Sequence, residues 1–230
     1  MFEYQNVKLV GITKPIDLSL KAEDLVTYCA RVSNPKNQKN VGTSVNLLKY
    51  LIRNEHWSPF EMVNVVMEIE TTRDISRQIL RHRSFSFQEF SQRYAEVVNK
   101  FPSEDYRECR LQDEKNRQNS LDNNNEMLAS HWNIMQSILE ERALKDYKWA
   151  LDNGIAKEQA RAVLPEGLTM SKLYMNGTLR SWIHYCLLRM GNGTQKEHQD
   201  IANKCWDLLV EEFYFLKFLK DEKFTEAGVE

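Results

Sequence analysis

The sequence predicts a mixed fold of strands and long helices, and three stretches predict it. Val63, Val65, Met67 and Ile69 alternate with Met62, Asn64, Val66 and Glu68, the pattern of a strand with one buried face. Residues 126–153 form a long helix, with Gly154 in the position just past a helix end. Thr194-Gln195-Lys196-Glu197 has the form of a capping box and opens an amphipathic helix running to about Lys220. The chain has 230 residues and no internal repeats, so one domain over 1–230 with a substantial core is expected.

The remaining elements follow in order. Val7 to Ile12 is a short apolar run before Lys14-Pro15 and predicts a strand. Leu25, Val26 and Cys29 recur at helical spacing between Leu20 and Ala30, and Ser33-Asn34-Pro35 stops that helix. Val45, Leu47, Leu48, Leu51 and Ile52 form a second helical stripe, with Ser44 placed to cap it. His56 to Glu61 is a turn. Thr71 and Asp74 suit the start of a helix whose Ile75, Ile79 and Leu80 pack inward. Ser103 to Asn125 is polar and fits a surface loop or insertion. Ala156 to Val163 is a short helix ended by Pro165, and Leu168 to Met175 fits either strand or turn. Thr178 to Met190 is a helix with an apolar stripe of Leu179, Trp182, Ile183, Cys186, Leu187 and Met190. Arg180 and His184 lie one turn apart on it, beside a polar row of Ser181, Tyr185 and Arg189.

Charge narrows the partners. The formal net charge is −2, so the chain as a whole is not drawn to nucleic acid. No apolar run reaches the length of a membrane span. Cys29, Cys109, Cys186 and Cys205 form no CxxC, and no signal peptide is visible, so a reduced, cytoplasmic setting is expected. Positive charge is nevertheless concentrated between Arg73 and Arg93, where 21 residues carry five of the 14 arginines and none of the 17 lysines. Guanidinium presents a planar fork of donors that matches phosphate and carboxylate. Phe85, Phe87, Phe90 and Tyr94 are set among the polar residues and call for cover, unlike an ordinary solvated face. Arg73, Arg77 and Arg81 fall at i, i+4, i+8, where like charges repel unless an anion or a carboxylate sits among them.

Several chemistries lack their signature. GxGxxG, GxxxxGK[ST] and HExxH do not occur. His56, His82, His131, His184 and His198 have no metal-ligand spacing, so no metal is expected. Ser91 has no base at a diagnostic spacing and suits a hydroxyl donor to phosphate better than a nucleophile. His82 lies between two arginines, which disfavours its protonation.

Arg81-His82-Arg83, seven residues, Ser91, one residue, Arg93 resembles the signature of the flavin-dependent thymidylate synthases. Ala30-Arg31-Val32-Ser33, His56-Trp57-Ser58-Pro59-Phe60-Glu61, Arg77-Gln78, Ala160 to Pro165 and Arg180 to Arg189 resemble further blocks in the family's order, so the likeness spans roughly residues 5 to 215. The resemblance implies an α+β subunit, with a central mostly antiparallel sheet and flanking long helices, in a homotetramer with shared active sites. It implies conversion of dUMP to dTMP, with methylenetetrahydrofolate as carbon donor and reducing equivalents passing from NADPH through FAD. All these ligands are anionic, which gives the arginine cluster a physical reason.

Residue by residue, the resemblance assigns Gln78, Arg81, Glu89, Ser91, Gln92, Arg93, Arg161 and Arg189 to dUMP. It assigns Ser33, Ser58, Glu61, Arg81, His82, Arg83, Glu89, Thr178, Arg180 and His184 to FAD, and places His56 near flavin and folate. Arg189 takes the catalytic role, stabilising charge on the pyrimidine N3 and O4 edge as an oxyanion hole does. Two departures stand out. Asn176-Gly177-Thr178 makes the stretch before Arg180 one residue longer than in some members, and His184 stands where some have Asn.

Overall fold

The computed structural model describes residues 2–16, 20–97 and 106–219. Its elements are β1 (Asn6–Ile12), α1 (Ala22–Ala30), α2 (Ser44–Arg53), β2 (Asn64–Thr72), α3 (Arg73–Ile79), β3 (Ser86–Glu89), β4 (Leu111–Gln112), β5 (Ser120–Leu121), α4 (Glu126–Asp152), α5 (Lys157–Ala160), β6 (Met170–Thr178), α6 (Leu179–Arg189) and α7 (Lys196–Glu212). The main sheet runs β1-β2-β6-β3, and every neighbouring pair is antiparallel. This is the α+β class with an antiparallel sheet and long helices.

β2 and β6 form the spine. They pair without interruption from Asn64↔Thr178 to Thr72↔Met170. Val65, Met67 and Ile69 of β2 and Leu173 and Met175 of β6 are fully buried. The alternation in β2 thus points to the face that packs on the helices. Across that face lie Ile75 and Ile79 of α3, Trp182 and Ile183 of α6, and Ile201, Cys205, Trp206 and Leu209 of α7. The Trp182 indole also donates to the Val65 carbonyl at 3.0 Å, tying α6 to β2. Of the stretch Leu168 to Met175, which fitted either strand or turn, Leu168 ends a 3-10 turn and Met170 onward is strand, because β2 and β3 both supply it with partners.

Some boundaries differ from the sequence expectation. Thr43 precedes α2, so Ser44 is its first residue, and the Ser44 hydroxyl instead meets Thr27 at 3.0 Å in the core. Thr72, one residue after Thr71, occupies the N-cap position of α3, and its hydroxyl donates to the Asp74 carboxylate at 2.6 Å instead of accepting from a helix amide. The capping box at Thr194–Glu197 does not form: Gln195 is the cap, and the buried Glu197 carboxylate accepts from Arg110 at 2.7 and 2.8 Å. Two hydrogen bonds to a guanidinium satisfy it better than one backbone amide would. α7 ends at Glu212 rather than near Lys220, which lies outside the described residues; Tyr214–Leu216 is a turn of 3-10 helix. Gly154 follows α4 with φ +79°, as expected of a glycine past a helix end.

Part of the polar stretch before α4 is anchored. Tyr106 is 6% exposed and donates to Glu140 at 2.7 Å. Arg107 meets Asp74 at 2.7 Å and Thr72 at 2.5 Å. β4 and β5 then form a two-stranded ribbon, while residues 103–105 lie outside the described residues.

Candidate active site

α3 ends at Ile79, so Arg81 leaves the helix and the chain turns into β3. That breaks the expected ladder of arginines. Arg73 comes within 4.0 Å of Glu89, and Arg77 meets Glu166 at 2.5 Å. Carboxylates from distant segments thus relieve the repulsion at these two positions. Arg81 and Arg83 are exposed on either side of His82.

His82 turns inward to the end of α6. Arg189 Nε donates to His82 Nε2 at 2.9 Å, so this imidazole is neutral with its proton on Nδ1. Burial, with Arg189 and Arg81 adding to it, lowers the His82 pKa to about 4. Its ring stands edge-on to Tyr185 at 4.9 Å and 88°. Behind it, His198 is fully buried and its pKa is pushed down to about 3 by burial, then by Arg189 and His82. Tyr185 and His198 are joined at 3.1 Å, and His198 Nδ1 lies 3.3 Å from Gln78 Oε1. Gln78 in turn donates to Gln195 at 2.7 Å. Four segments therefore converge here: the end of α3, the Arg-His-Arg turn, α6 and the start of α7.

A second group lies along α6. Arg180 is ion-paired to Glu61, and the His184 ring lies 4.6 Å from Trp57. Ser181 Oγ donates to the Ser84 carbonyl at 3.4 Å, which ties α6 to the residue after Arg83. Thr178 caps α6: its hydroxyl oxygen accepts from the Ser181 amide at 3.2 Å. His56 follows Glu55, whose φ of +55° turns the chain out of α2. Ser33, His56 and Ser58 are all exposed.

Glu89 and the Ser91–Arg93 turn form two further groups. Glu89 Oε1 accepts from Ser76 at 2.7 Å and Ser171 at 2.9 Å, so its carboxylate is held by two hydroxyls. Gln92 is 4% exposed, and its amide nitrogen has no hydrogen-bond partner among the described residues. A buried donor left unmet costs about 1–3 kcal/mol, which favours a ligand oxygen at this position. Arg93 and Arg161 meet on Glu158, at 3.5 Å from its carboxylate and 3.3 Å from its carbonyl respectively. Ser91 and Tyr94 are exposed, Tyr94 at 88%, so within one chain the aromatics after β3 are not all covered.

Sequence reasoning picked out Gln78, His82 and Arg189 but not the residues behind them. Tyr185 stood only in a polar row and His198 only among histidines without metal spacing. A polar residue on an otherwise apolar helix face was the available signal. A cavity of about 800 Å³ lies elsewhere, lined by Tyr4, Tyr106, Arg107, Arg110, Asn133 and Lys196 among others. Arg107, Arg110 and Lys196 are each paired to a carboxylate. Among the described residues, no cluster of three or more His, Cys, Asp or Glu is placed to hold a metal.

The chain matches known proteins along most of its length. The family model described as "Thymidylate synthase complementing protein" matches residues 16–213. A probable flavin-dependent thymidylate synthase of Paramecium bursaria Chlorella virus 1 is 49% identical over 209 residues, covering 90% of this chain and 95% of that one. A flavin-dependent thymidylate synthase of Synechocystis is 50% identical over 201 residues, covering 86% and 90%. Among solved structures, the UMP/dUMP methylase PolB from Streptomyces cacaoi, bound with 5-Br dUMP, aligns over 90% of each chain with a TM-score of 0.74 at 27% identity.

Proposed function

The chain belongs to the flavin-dependent thymidylate synthase family, and on that premise we propose that it converts dUMP to dTMP with methylenetetrahydrofolate, FAD and NADPH. The folate gives one carbon at the methylene level. A hydride equivalent raises it to a methyl group and leaves tetrahydrofolate. FAD, when bound, would supply the redox chemistry, with NADPH as the reductant. The chain's own residues bind, orient and place charge.

The contact between Arg189 and His82 carries this reading. It brings the Arg-His-Arg turn to the end of α6, so groups assigned to flavin and to dUMP share one wall. Neutral His82 accepts a hydrogen bond from Arg189 Nε, leaving the terminal guanidinium hydrogens for O4 on the N3–O4 edge of the pyrimidine. There they stabilise the negative charge that develops in the transition state. Gln92, with its unmet donor, and Ser91, Arg93 and Arg161 hold the rest of the nucleotide. Arg81, Arg83 and Arg180, all exposed, suit the phosphates of FAD, with His82 beside the ring system. Ser33, Ser58, Glu61, Glu89, Thr178 and His184 complete the flavin contacts, and His56 lies near the folate.

Arg93 pairs with the Glu158 carboxylate and Arg161 donates to the Glu158 carbonyl. Long α4 supports the homotetramer: Leu128, Trp132, Ile134, Met135, Ile138 and Leu139 are 40–63% exposed on a single chain. The test is spectroscopic and chemical. Purified protein is expected to show flavin absorbance that bleaches with NADPH, and to form dTMP from dUMP only when methylenetetrahydrofolate is present. Protein that takes up no FAD on reconstitution overturns the proposal.

A further inference from the structure

Gln78 is held from two sides, and one of them is a residue that the resemblance does not assign. His198 sits in the first turn of α7, fully buried, with both ring nitrogens engaged. Gln78 Oε1 only accepts, so the His198 Nδ1 facing it carries the hydrogen. His198 Nε2 is then an acceptor, and the buried Tyr185 hydroxyl donates to it at 3.1 Å. On the other side, the Gln78 amide nitrogen donates to Gln195 Oε1 at 2.7 Å. Flipping this amide would set its NH₂ against the His198 N–H and its oxygen against the Gln195 oxygen. With the His198 hydrogen on Nδ1 and the Gln195 oxygen facing Gln78, both contacts would turn repulsive, so this arrangement of the network holds the amide in one orientation.

We infer that His198 is a positioning residue that locks the Gln78 side-chain amide, so that Gln78 offers its second Nε2 hydrogen to an oxygen of dUMP. The inference rests on the proposed reading that Gln78 belongs to the dUMP site. Without the His198 donor the amide turns freely and spends part of its time presenting a carbonyl oxygen to an anionic nucleotide.

Asn in place of His reproduces a polar atom at the position of Nδ1, and Gln reproduces one at Nε2. His198→Asn therefore keeps a donor for Gln78 and gives up the Tyr185 contact, while His198→Gln does the reverse. In calorimetric titration of the flavin-loaded, full-length protein with dUMP, His198→Asn is expected to stay within about threefold of the wild-type Kd and His198→Gln to weaken binding about tenfold or more. A role in packing alone would weaken both variants alike, and that result, or His198→Gln binding like wild type, overturns the inference. ¹⁵N NMR of the unmutated protein gives a second test that does not depend on the variants folding. Protonation of His198 at Nδ1 supports the lock, and protonation at Nε2 overturns it. If wild-type protein binds no dUMP at all, the proposed function falls and this role falls with it. If wild type binds dUMP but the variants do not separate, only the positioning role falls.

Discussion

Arg189 has one guanidinium edge taken by a neutral histidine and the rest left to act, because Nε is spent on His82. A charged partner in that place would cancel the positive field that the proposed reaction uses. Arg189→Ala is therefore expected to retain flavin but lose dTMP formation by a factor of about 100 or more, the scale of removing an oxyanion-hole donor. Product formation and flavin absorbance measured on the same sample check this. The two neutral histidines also predict a pH dependence of stability. His198 titrates near 6.5 when unfolded and near 3 in the fold, where Arg189 and Tyr185 of α6, His82 from the turn after α3, and Gln78 of α3 surround it. Between those values the unfolded chain binds a proton that the folded chain refuses, so stability falls as pH drops below 6.5. The loss approaches about 1.4 kcal/mol per pH unit for this group. His82, lowered to about 4, acts in the same direction. Thermal denaturation between pH 7 and pH 5 should show the melting temperature falling, and falling less in His198→Asn, which has no ring to titrate.

At the scale of elements, β6 joins the sheet to the site. Gly177 lies where a Cβ would come within 2.4 Å of Phe85 Cδ1 and 3.2 Å of Cγ. Phe85 cannot step aside easily, because Trp182 packs edge-on at 5.0 Å and Tyr185 lies at 5.9 Å. This glycine belongs to β6, one residue before its end at Thr178. It lets the Arg-His-Arg turn press its aromatic residue against the strand and α6. Gly177→Ala is expected to cost about 1–3 kcal/mol through overpacking, seen as a lower urea midpoint with an unchanged slope. Glu197 makes a comparable link between elements. Its fully buried carboxylate holds Arg110 and approaches Arg107 at 3.7 Å, pinning the segment before α4 onto the start of α7. The strand alternation of β2 and the stripe on α6 were legible because one buried face repeats at the period of its own element. β6 was not, since its neighbours come from residues 64–72 and 86–89, far away in sequence.

For the whole molecule, the exposed apolar residues of α4 depart from an ordinary water-facing surface. Ile138 and Met135 are 63% and 53% exposed although both are apolar. An isolated chain gains nothing from that, whereas burial against a second copy yields about 25 cal/mol per Å². Ile138→Glu combined with Met135→Glu is expected to reduce the assembly's mass in light scattering and to lower dTMP formation with it. A wild-type protein that runs as a monomer at micromolar concentration would refute the homotetramer.

Sequence alone determined the local features: the burial period of β2 and of α6, the glycine that closes α4, and an Arg73-to-Arg93 stretch too rich in arginine to be a routine surface. These depend on residues a few positions apart, where chain geometry sets the spacing. Tertiary structure alone decided which charges remain available. Arg77 is matched by Glu166 and Gln78 is held by His198, partners 89 and 120 residues away. A carboxylate or an imidazole has the same identity in the sequence whether it neutralises, orients or stands free. Folding brings the distant partner to within 4 Å and removes the water between them, and only then does a charge or a hydrogen bond acquire a direction.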